Sequence, residues 1–226
     1  MEIQNRKIAH RGVFNNTSIP ENSMSAFKKA ISLHLGIELD VQLTKDNVLI
    51  VFHDDNLYRM TGINQDVSKA IYSDIKKYHL LDSKETIPTL QEVLELVQDK
   101  VFLDIEIKST RKKREIVDLL EKTLYGYHNY VLQSFDPRIV RYLKKKNPTM
   151  MVGYLMNRSI NLYHIFLNSK LMIRYSKADF LAIHKKLLDT KKIQELKKKM
   201  PIFVWTIKKK DNISDEDYIL ICNDII

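Results

Sequence analysis

Short apolar runs rich in Ile, Val and Phe alternate along this chain with longer segments whose apolar residues recur at helical spacing. Such alternation is typical of repeated β/α units around a parallel sheet. The apolar runs predict eight strands, at residues 7–11, 37–41, 101–108, 130–135, 151–155, 180–184, 202–206 and 218–222. The helical spacing predicts six helices, near residues 22–34, 90–99, 111–125, 137–147, 161–169 and 190–199.

Eight strands with crossover helices predict an α/β fold of the (β/α)8 TIM-barrel type, and the same alternation also suits a doubly wound sheet. Most of the predicted strands end in polar or reactive side chains. In a barrel the active site gathers at this carboxyl end of the strands. The convergence of so many polar strand ends therefore favours a closed barrel.

Two irregular stretches modify the expected barrel. Residues 54–88 have weak periodicity and predict a small insertion after the second strand. Residues 207–217 are too few for a full helix with its loops, so we expect the barrel to be slightly truncated at its C-terminal end. The chain length suits a single domain that spans residues 1–226.

Three carboxylates are predicted to meet inside this barrel. Glu38 and Asp40 alternate with apolar residues along one strand, and Glu106 does the same on the next, so each set projects to one side. Buried carboxylates side by side are costly unless a cation holds them, and oxygen ligands suit Mg²⁺ or Ca²⁺. The pattern predicts a divalent metal site, and the alternative is a metal-free network of buried ion pairs between Glu106 and Lys108 or Arg11.

Two histidines and two cationic side chains also lie at predicted strand ends. His10 precedes Arg11, and His53 follows the apolar run after the second strand. A pair of imidazoles beside a cation site suits general acid and base catalysis. The fork of Arg11 and the point charge of Lys108 suit phosphate oxygens. Together these residues predict metal-assisted phosphoryl chemistry.

The composition limits the partners and the compartment. A net charge of +9 favours anionic partners, but the lysine runs lack the interleaved aromatics or the module of a nucleic-acid-binding protein, so no specific nucleic acid is expected. No apolar run approaches the roughly 18 residues of a membrane-spanning helix. The N-terminus lacks the pattern of a secretory signal, and the single cysteine, Cys222, suits a reducing compartment. We expect a cytoplasmic protein with no obligate protein partner.

A series of ordered motifs covers nearly the whole chain. The motifs are His10-Arg-Gly12, Pro20-Glu-Asn22, Ile37-Glu-Leu-Asp-Val-Gln-Leu-Thr-Lys-Asp46, Val51-Phe-His-Asp54, Arg59-Met-Thr-Gly62, Ile87-Pro-Thr-Leu90, Ile105-Glu-Ile-Lys108, Ser134-Phe135 and Trp205-Thr206. Each motif is weak alone, but in this order they resemble the glycerophosphodiester phosphodiesterases, which share a TIM-like barrel with phosphatidylinositol-specific phospholipases C.

The resemblance implies a role for each matched position. The implied metal ligands are Glu38, Asp40 and Glu106, the implied acid and base are His10 and His53, and the implied phosphate-binding residues are Arg11 and Lys108. Trp205 is implied as an aromatic wall of the substrate pocket. Glu21 and Asn22 are implied as supporting residues behind the site, although Asn22 equally suits the cap of the first helix. The chain departs from the family pattern in an additional carboxylate, Asp104.

The leading hypothesis is hydrolysis of a small-molecule or lipid-derived glycerophosphodiester to glycerol 3-phosphate and an alcohol, as part of lipid and glycerol metabolism. The attacking oxygen belongs either to water or to the neighbouring glycerol hydroxyl, and the acid and base roles of the two histidines stay open. Basic residues at 109–114 and 208–210 either steer anionic substrates or a membrane surface towards the site or are merely solvated. The alternatives are a lysophospholipase D-type or teichoic-polymer phosphodiesterase and a non-enzymatic barrel that binds phosphate ligands.

Overall fold

The computed structural model describes residues 7–158 and 162–223. In chain order the strands and α-helices are β1 (Lys7–His10), α1 (Met24–Ser32), β2 (Gly36–Leu43), β3 (Leu49–Val51), α2 (Tyr58–Thr61), α3 (Tyr72–Ile75), α4 (Leu90–Val97), β4 (Leu103–Ile107), α5 (Lys113–Thr123), β5 (Tyr130–Ser134), α6 (Pro137–Lys146), β6 (Val152–Met156), α7 (Leu162–Leu167), α8 (Lys170–Ser176), β7 (Phe180–His184), α9 (Lys191–Lys197), β8 (Ile202–Ile207) and β9 (Ile219–Cys222). Short 3₁₀ turns lie at Val67–Lys69 and Lys185–Leu187.

Eight parallel strands close into a barrel, in the order β1, β2, β4, β5, β6, β7, β8 and β9, with β9 paired to β1. The remaining strand of this sheet, β3, is not part of the barrel. It is antiparallel to β2 and forms a hairpin with it. The (β/α)8 prediction is confirmed, and the doubly wound alternative is wrong because the sheet has no open edge between β1 and β9. All eight predicted strands are present at about the expected residues.

The alternation of side chains along the strands divides the protein into two apolar layers. Outward residues such as Ile37 and Leu39 pack with the surrounding helices in the large outer core. Inward residues fill the amino-terminal half of the barrel, where the rings of Phe180 and Phe203 stack with centroids 4.2 Å apart. The inner layer forms a closed floor, above which the barrel interior becomes polar.

The insertion at residues 54–88 has a small hydrophobic core of its own. Leu57, Met60, Ile75 and Leu80 are fully buried in it, together with residues of β3 and its flanks. Its helices α2 and α3 have only four residues each, which explains why the sequence has weak periodicity there. The insertion lies beside the carboxyl end of β2, so it forms part of the barrel mouth.

Other elements refine the predicted helices. Helix α8 was not predicted as a separate element, and the predicted helix at 161–169 begins at a residue outside the described part of the chain. Between β8 and β9 the structure has no helix, as expected from the short connection. Within residues 7–158 and 162–223, every helix is too short or too polar to cross a lipid bilayer.

Candidate active site

The polar half of the barrel interior opens at the carboxyl ends of the strands as a cavity of about 270 Å³. We call it the catalytic cavity. The predicted site residues on its wall are His10, Arg11, Glu38, His53, Glu106, Lys108 and Trp205. They come from β1, β2, β4 and β8 and from the segment after β3, because parallel strands present their carboxyl ends at one face.

Three buried carboxylates cluster at the base of the cavity, with Glu38 and Glu106 on its wall and Asp40 directly behind them. Glu38, Asp40 and Glu106 each offer one oxygen, and these oxygens lie within 4.8 Å of one another. Registers between the strands explain the cluster, since Asp40 on β2 lies directly beside Glu106 on β4. Burial raises the pKa of Glu38 well above its usual value, and the neighbouring charges of Asp40 and Glu106 add to this. Burial likewise raises the pKa of Glu106.

Two cations face these carboxylates. The Lys108 Nζ atom lies 2.7 Å from Glu106 Oε1 and 2.9 Å from Asp40 Oδ1. The Arg11 Nε atom lies 3.3 Å from Asp40 Oδ2. Burial alone would raise the pKa of Asp40, but the charges of Lys108 and Arg11 outweigh it and lower that pKa below its usual range. Asp40 is therefore the carboxylate that is held ionised.

A fourth carboxylate, Asp104, lies beside Glu38 on the neighbouring strand and is fully buried. Neither of its side-chain oxygens has a hydrogen-bond partner. Burial and the charges of Glu106 and Asp40 raise its pKa well above the usual value. The cluster thus has more carboxyl groups than the two buried cations can neutralise.

His10 lies at the end of β1 with both of its ring nitrogens near polar groups. Its Nδ1 atom is 2.5 Å from the side-chain oxygen of Asn223, just after β9, and its Nε2 atom is 3.9 Å from Glu38 Oε2. Burial, together with the adjacent charge of Arg11, lowers the pKa of His10 from 6.5 to about 4. The imidazole is therefore neutral at neutral pH and its orientation is held by the amide of Asn223.

His53 is oriented by a chain of charged side chains that runs behind the cavity. Its Nδ1 atom lies 2.6 Å from Asp54 Oδ1. Arg59 of α2 donates from Nε to Asp54 Oδ2 at 2.5 Å and from Nη2 to Glu21 Oε1 at 2.7 Å. Glu21 also accepts from Arg11 Nη1 at 2.7 Å. The chain of contacts couples the position of one histidine to that of the arginine in the cavity.

The turn after β1 needs its glycine for the approach of a helix. Arg11 and Gly12 both have positive φ, 56° and 79°. A Cβ atom at Gly12 would lie 2.9 Å from the backbone of Ala26 in α1, so only glycine permits this packing. The turn also directs the backbone N–H of Arg11 to Glu38 Oε2 at 3.0 Å.

Asn22 supports the acidic cluster and does not cap α1. Its side-chain nitrogen donates to Asp40 Oδ2 at 2.8 Å. The N-cap is Ser23, whose hydroxyl accepts from the backbone N–H of Ala26. The left-handed φ of Asn22, 54°, is one that asparagine tolerates better than most residues. The capping alternative for Asn22 is therefore wrong.

An aromatic wall closes one side of the cavity. The rings of Phe135 and Trp205 meet edge to face with centroids 5.7 Å apart, and the His184 ring also meets Trp205 edge to face, with centroids 5.1 Å apart. The Trp205 indole N–H is buried without a hydrogen-bond partner. The wall therefore combines apolar surface with one free donor.

The structure brings the predicted residues together, with seven on the cavity wall and Asp40, Glu21 and Asn22 directly behind it. The sequence reasoning assigned no role to Asn223, which lies 213 residues from its partner His10 and has no local signal. It also assigned none to Arg59, although Arg59 stands in one of the quoted motifs.

The donor set fits a hard divalent cation. All three clustered groups are carboxyl groups, whose oxygens such cations prefer. Without an ion, burial raises the pKa values of Glu38 and Glu106, so a bound divalent cation would let these groups stay ionised. The ion-pair alternative is also partly present, because Lys108 contacts both Asp40 and Glu106. The geometry therefore supports an ion-binding cluster and does not select Mg²⁺ or Ca²⁺.

Comparison with known proteins places this geometry in a family. The model of the glycerophosphoryl diester phosphodiesterase family matches residues 10–223. The glycerophosphodiester phosphodiesterase of Caldanaerobacter subterraneus subsp. tengcongensis is 36% identical over 223 residues, which cover 91% of this chain and 87% of that protein.

Two solved structures have the same fold. A phosphodiesterase from Oleispira antarctica in complex with the product sn-glycerol 3-phosphate superposes with a TM-score of 0.82 at 21% identity and covers 96% of this chain and 92% of its own. A glycerophosphodiester phosphodiesterase from Thermotoga maritima has a TM-score of 0.75 at 26% identity, with 99% and 96% covered. The resemblance inferred from the motifs is confirmed. The chain belongs to the glycerophosphoryl diester phosphodiesterase family and is a phosphoric diester hydrolase.

Proposed function

We propose that this protein hydrolyses glycerophosphodiesters to glycerol 3-phosphate and an alcohol, with a divalent cation, Mg²⁺ or Ca²⁺, and with His10 and His53 as general acid and base. The observation that carries the proposal is the single cavity on which a carboxylate cluster, two cations and two imidazoles converge. The relative from Oleispira antarctica, which has the same fold, was solved with sn-glycerol 3-phosphate, the product proposed here.

The two cationic side chains on the cavity wall, Arg11 and Lys108, bind the phosphate in this proposal. The Arg11 guanidinium is fixed by Glu21 and Asp40, so it meets a phosphate with little loss of conformational freedom. Lys108 adds a second positive charge close to the carboxylates. Glu38, Asp40 and Glu106 would hold the cation, which supplies charge neutralisation for the phosphate and a lowered pKa for a bound oxygen nucleophile.

Proton transfer is assigned to the two histidines. One imidazole takes the proton of the attacking hydroxyl and the other gives a proton to the leaving alkoxide, so the P–O bond to the alcohol breaks as the new P–O bond forms. His10 is held by Asn223 and His53 by Asp54, which fixes the tautomer of each ring. Each ring then directs its Nε2 atom away from this support.

Three other functions remain as alternatives, two enzymatic and one non-enzymatic. A teichoic-polymer or lysophospholipase D-type reaction uses the same chemistry on a larger substrate. A barrel that binds phosphate ligands without turnover would have no use for two oriented imidazoles, so the dyad of His53 and Asp54 argues against it.

The test offers purified protein a panel of glycerophosphodiesters before and after treatment with EDTA, followed by Mg²⁺ or Ca²⁺. We expect turnover to stop with EDTA and to return with one of the ions. Glu38→Gln should weaken the binding of that ion in a calorimetric titration, which reports on the cluster independently of activity. Turnover that survives complete chelation would contradict the role of the cation.

The histidine roles are tested by substitution. His10→Ala and His53→Ala should each lower kcat by about 10²- to 10⁴-fold, the usual contribution of a positioned acid or base. His128→Ala is the matched control, because His128 is exposed in the loop before β5, at the opposite end of the barrel. A rate in either catalytic variant equal to that of the control would refute the two-histidine mechanism.

A further inference from the structure

The side chain of Gln42 binds the main chain on both sides of His53. Its nitrogen donates to the backbone carbonyl of Phe52 at 2.9 Å and to that of Asp54 at 2.8 Å. The NH₂ group of an amide has two N–H donors, and these two carbonyls use both of them. The side chain is only 7% exposed. Gln42 therefore bridges the residues before and after His53 from inside the protein.

The segment that carries His53 lies beyond the regular pairing of the β2–β3 hairpin, because β3 ends two residues before it. The backbone N–H of Phe52 still donates to the carbonyl of Asp40 on β2 at 2.9 Å. The carbonyls of Phe52 and Asp54 accept from the Gln42 amide. This side chain thus extends the attachment of the segment to β2 past the end of the strand pairing.

The imidazole of His53 depends on such support more than that of His10 does. The His53 side chain is 34% exposed, whereas that of His10 is 15% exposed. A partly exposed ring is held less by packing, so hydrogen bonds from neighbouring groups have to fix its position. Asp54 orients the ring through Nδ1 at 2.6 Å. Gln42 holds the main chain from which the ring extends, so the two contacts restrain different torsions.

A single strand holds both the carboxylates and the His53 segment. Glu38, Asp40 and Gln42 alternate along β2 and therefore point to the same side. The first two belong to the carboxylate cluster, and the third holds the main chain at His53. Strand β2 pairs with a barrel strand on each side, and all eight of its residues are buried. The position of the imidazole relative to the cluster is thus set by one rigid element.

We propose that Gln42 is a positioning residue for His53, which holds the main chain of residues 52–54 so that the imidazole stays within reach of the phosphate. Gln42 is not on the wall of the catalytic cavity, so it acts through His53 and not on the substrate. The inference rests on the proposed function, in which His53 is an acid or a base. Loss of the amide should lower kcat, because a small displacement of a catalytic group is costly, and should spare binding by Arg11 and Lys108.

The main test is Gln42→Met, which keeps the length of the side chain and removes both donors. We expect kcat for glycerophosphocholine to fall by about 10- to 100-fold. KM and the calorimetric affinity for glycerol 3-phosphate should change by less than about threefold. Gln194→Met is the matched control and should keep the wild-type kcat. Gln194 on α9 also donates its amide to a main-chain carbonyl, that of Leu188 at 2.9 Å, and neither residue is on the wall of the catalytic cavity.

A double-mutant cycle separates positioning of the ring from general support of the fold. In the His53→Ala background, Gln42→Met should lower kcat by less than about threefold, because the ring that Gln42 positions is absent. A general structural role would give the same fold loss with and without the imidazole. Circular dichroism of each variant shows whether it is folded.

Gln42→Asn is the second variant and decides the question if Gln42→Met does not fold. It keeps the amide but withdraws it by one methylene, so the nitrogen can no longer reach both carbonyls. We expect it to lose part of kcat in the wild-type background and to have no further effect on kcat in the His53→Ala background.

The outcomes separate the role of Gln42 from the proposed function. A kcat of the Gln42 variants equal to that of Gln194→Met would overturn the role and leave the proposed function standing. An equal fold loss in the wild-type and His53→Ala backgrounds, or a loss confined to KM and product affinity, would also overturn it. Absence of turnover in the unmodified protein, or a full rate in His53→Ala, would instead contradict the proposed function.

Discussion

Glu21 lies at the junction of the charged residues behind the catalytic cavity, and its replacement by glutamine removes one charge with little change of shape. The carboxylate accepts from Arg11 Nη1 at 2.7 Å, from Arg59 Nη2 at 2.7 Å and from Asn16 Nδ2 at 2.9 Å. Burial alone would raise the pKa of Glu21, but the bonds from Arg59 and the charge of Arg11 lower it from 4.5 to about 2. The folded state therefore stabilises the ionised form of the Glu21 side chain.

The expected loss of stability follows from this difference in pKa. A fall from 4.5 to about 2 corresponds to about 3 kcal/mol of free energy of unfolding at pH 7. Solvent reaches the network at Arg59, whose side chain is 45% exposed, so we reduce the expected effect of Glu21→Gln to about 2 kcal/mol. Because the folded pKa is the lower one, this stabilisation is complete above the unfolded value of 4.5 and is lost as the pH falls towards 2.

The assay is urea unfolding of both proteins between pH 3 and pH 7, followed by the fluorescence of the single tryptophan, Trp205, and by circular dichroism. The difference in unfolding free energy should be constant near neutrality and should shrink below about pH 4.5. Glu115→Gln is the control, because Glu115 is exposed on α5 and should change stability by less than about 0.5 kcal/mol. A difference between wild type and Glu21→Gln that stays the same from pH 7 to pH 3 would refute the reasoning.

Three further substitutions test other parts of the structure. Gly153→Ala should destabilise the barrel by at least about 1–3 kcal/mol in urea unfolding, because the new Cβ atom would lie 2.2 Å from the Phe180 ring; an unchanged midpoint would contradict the packing. Thr89→Ala should cost about 1 kcal/mol in the same assay, since Thr89 and Glu92 form a reciprocal capping box at the start of α4; Gln91→Ala on the same helix is the control. Asp54→Asn should lower kcat/KM by about 10- to 100-fold, because it weakens the contact that orients the His53 ring; its effect on the free energy of unfolding should be smaller than that of Glu21→Gln. Activity equal to that of the wild type would show that this contact is dispensable.

The sequence predicted the barrel well because its signals are local. The period of two in β2 and β4 placed Glu38, Asp40 and Glu106 on the inner face, and the structure has them there. The insertion was predicted only as a stretch of weak periodicity, since helices of four residues are too short to produce a helical pattern. Ser23 and Asn22 are neighbours with similar capping ability, so the choice of Ser23 as the N-cap depended on the contact of Asn22 with Asp40.

Contacts between residues that are far apart in the chain could not be predicted from the sequence. The bond of His10 to Asn223 depends on the pairing of β1 with β9, which exists only because the barrel closes. Arg59 meets Glu21 because the insertion folds back over the mouth of the barrel. Neither contact leaves a periodic pattern in the chain.

The sequence by itself determined the order of the strands and helices, the inward direction of the carboxylates and the family, because these depend on side-chain spacing within single elements and on short motifs. Only the tertiary structure decided which charged side chains pair with one another behind the catalytic cavity and which side chains orient the two histidines. The physical reason is that closure and strand register bring together groups far apart in the chain, and burial then makes their interactions strong.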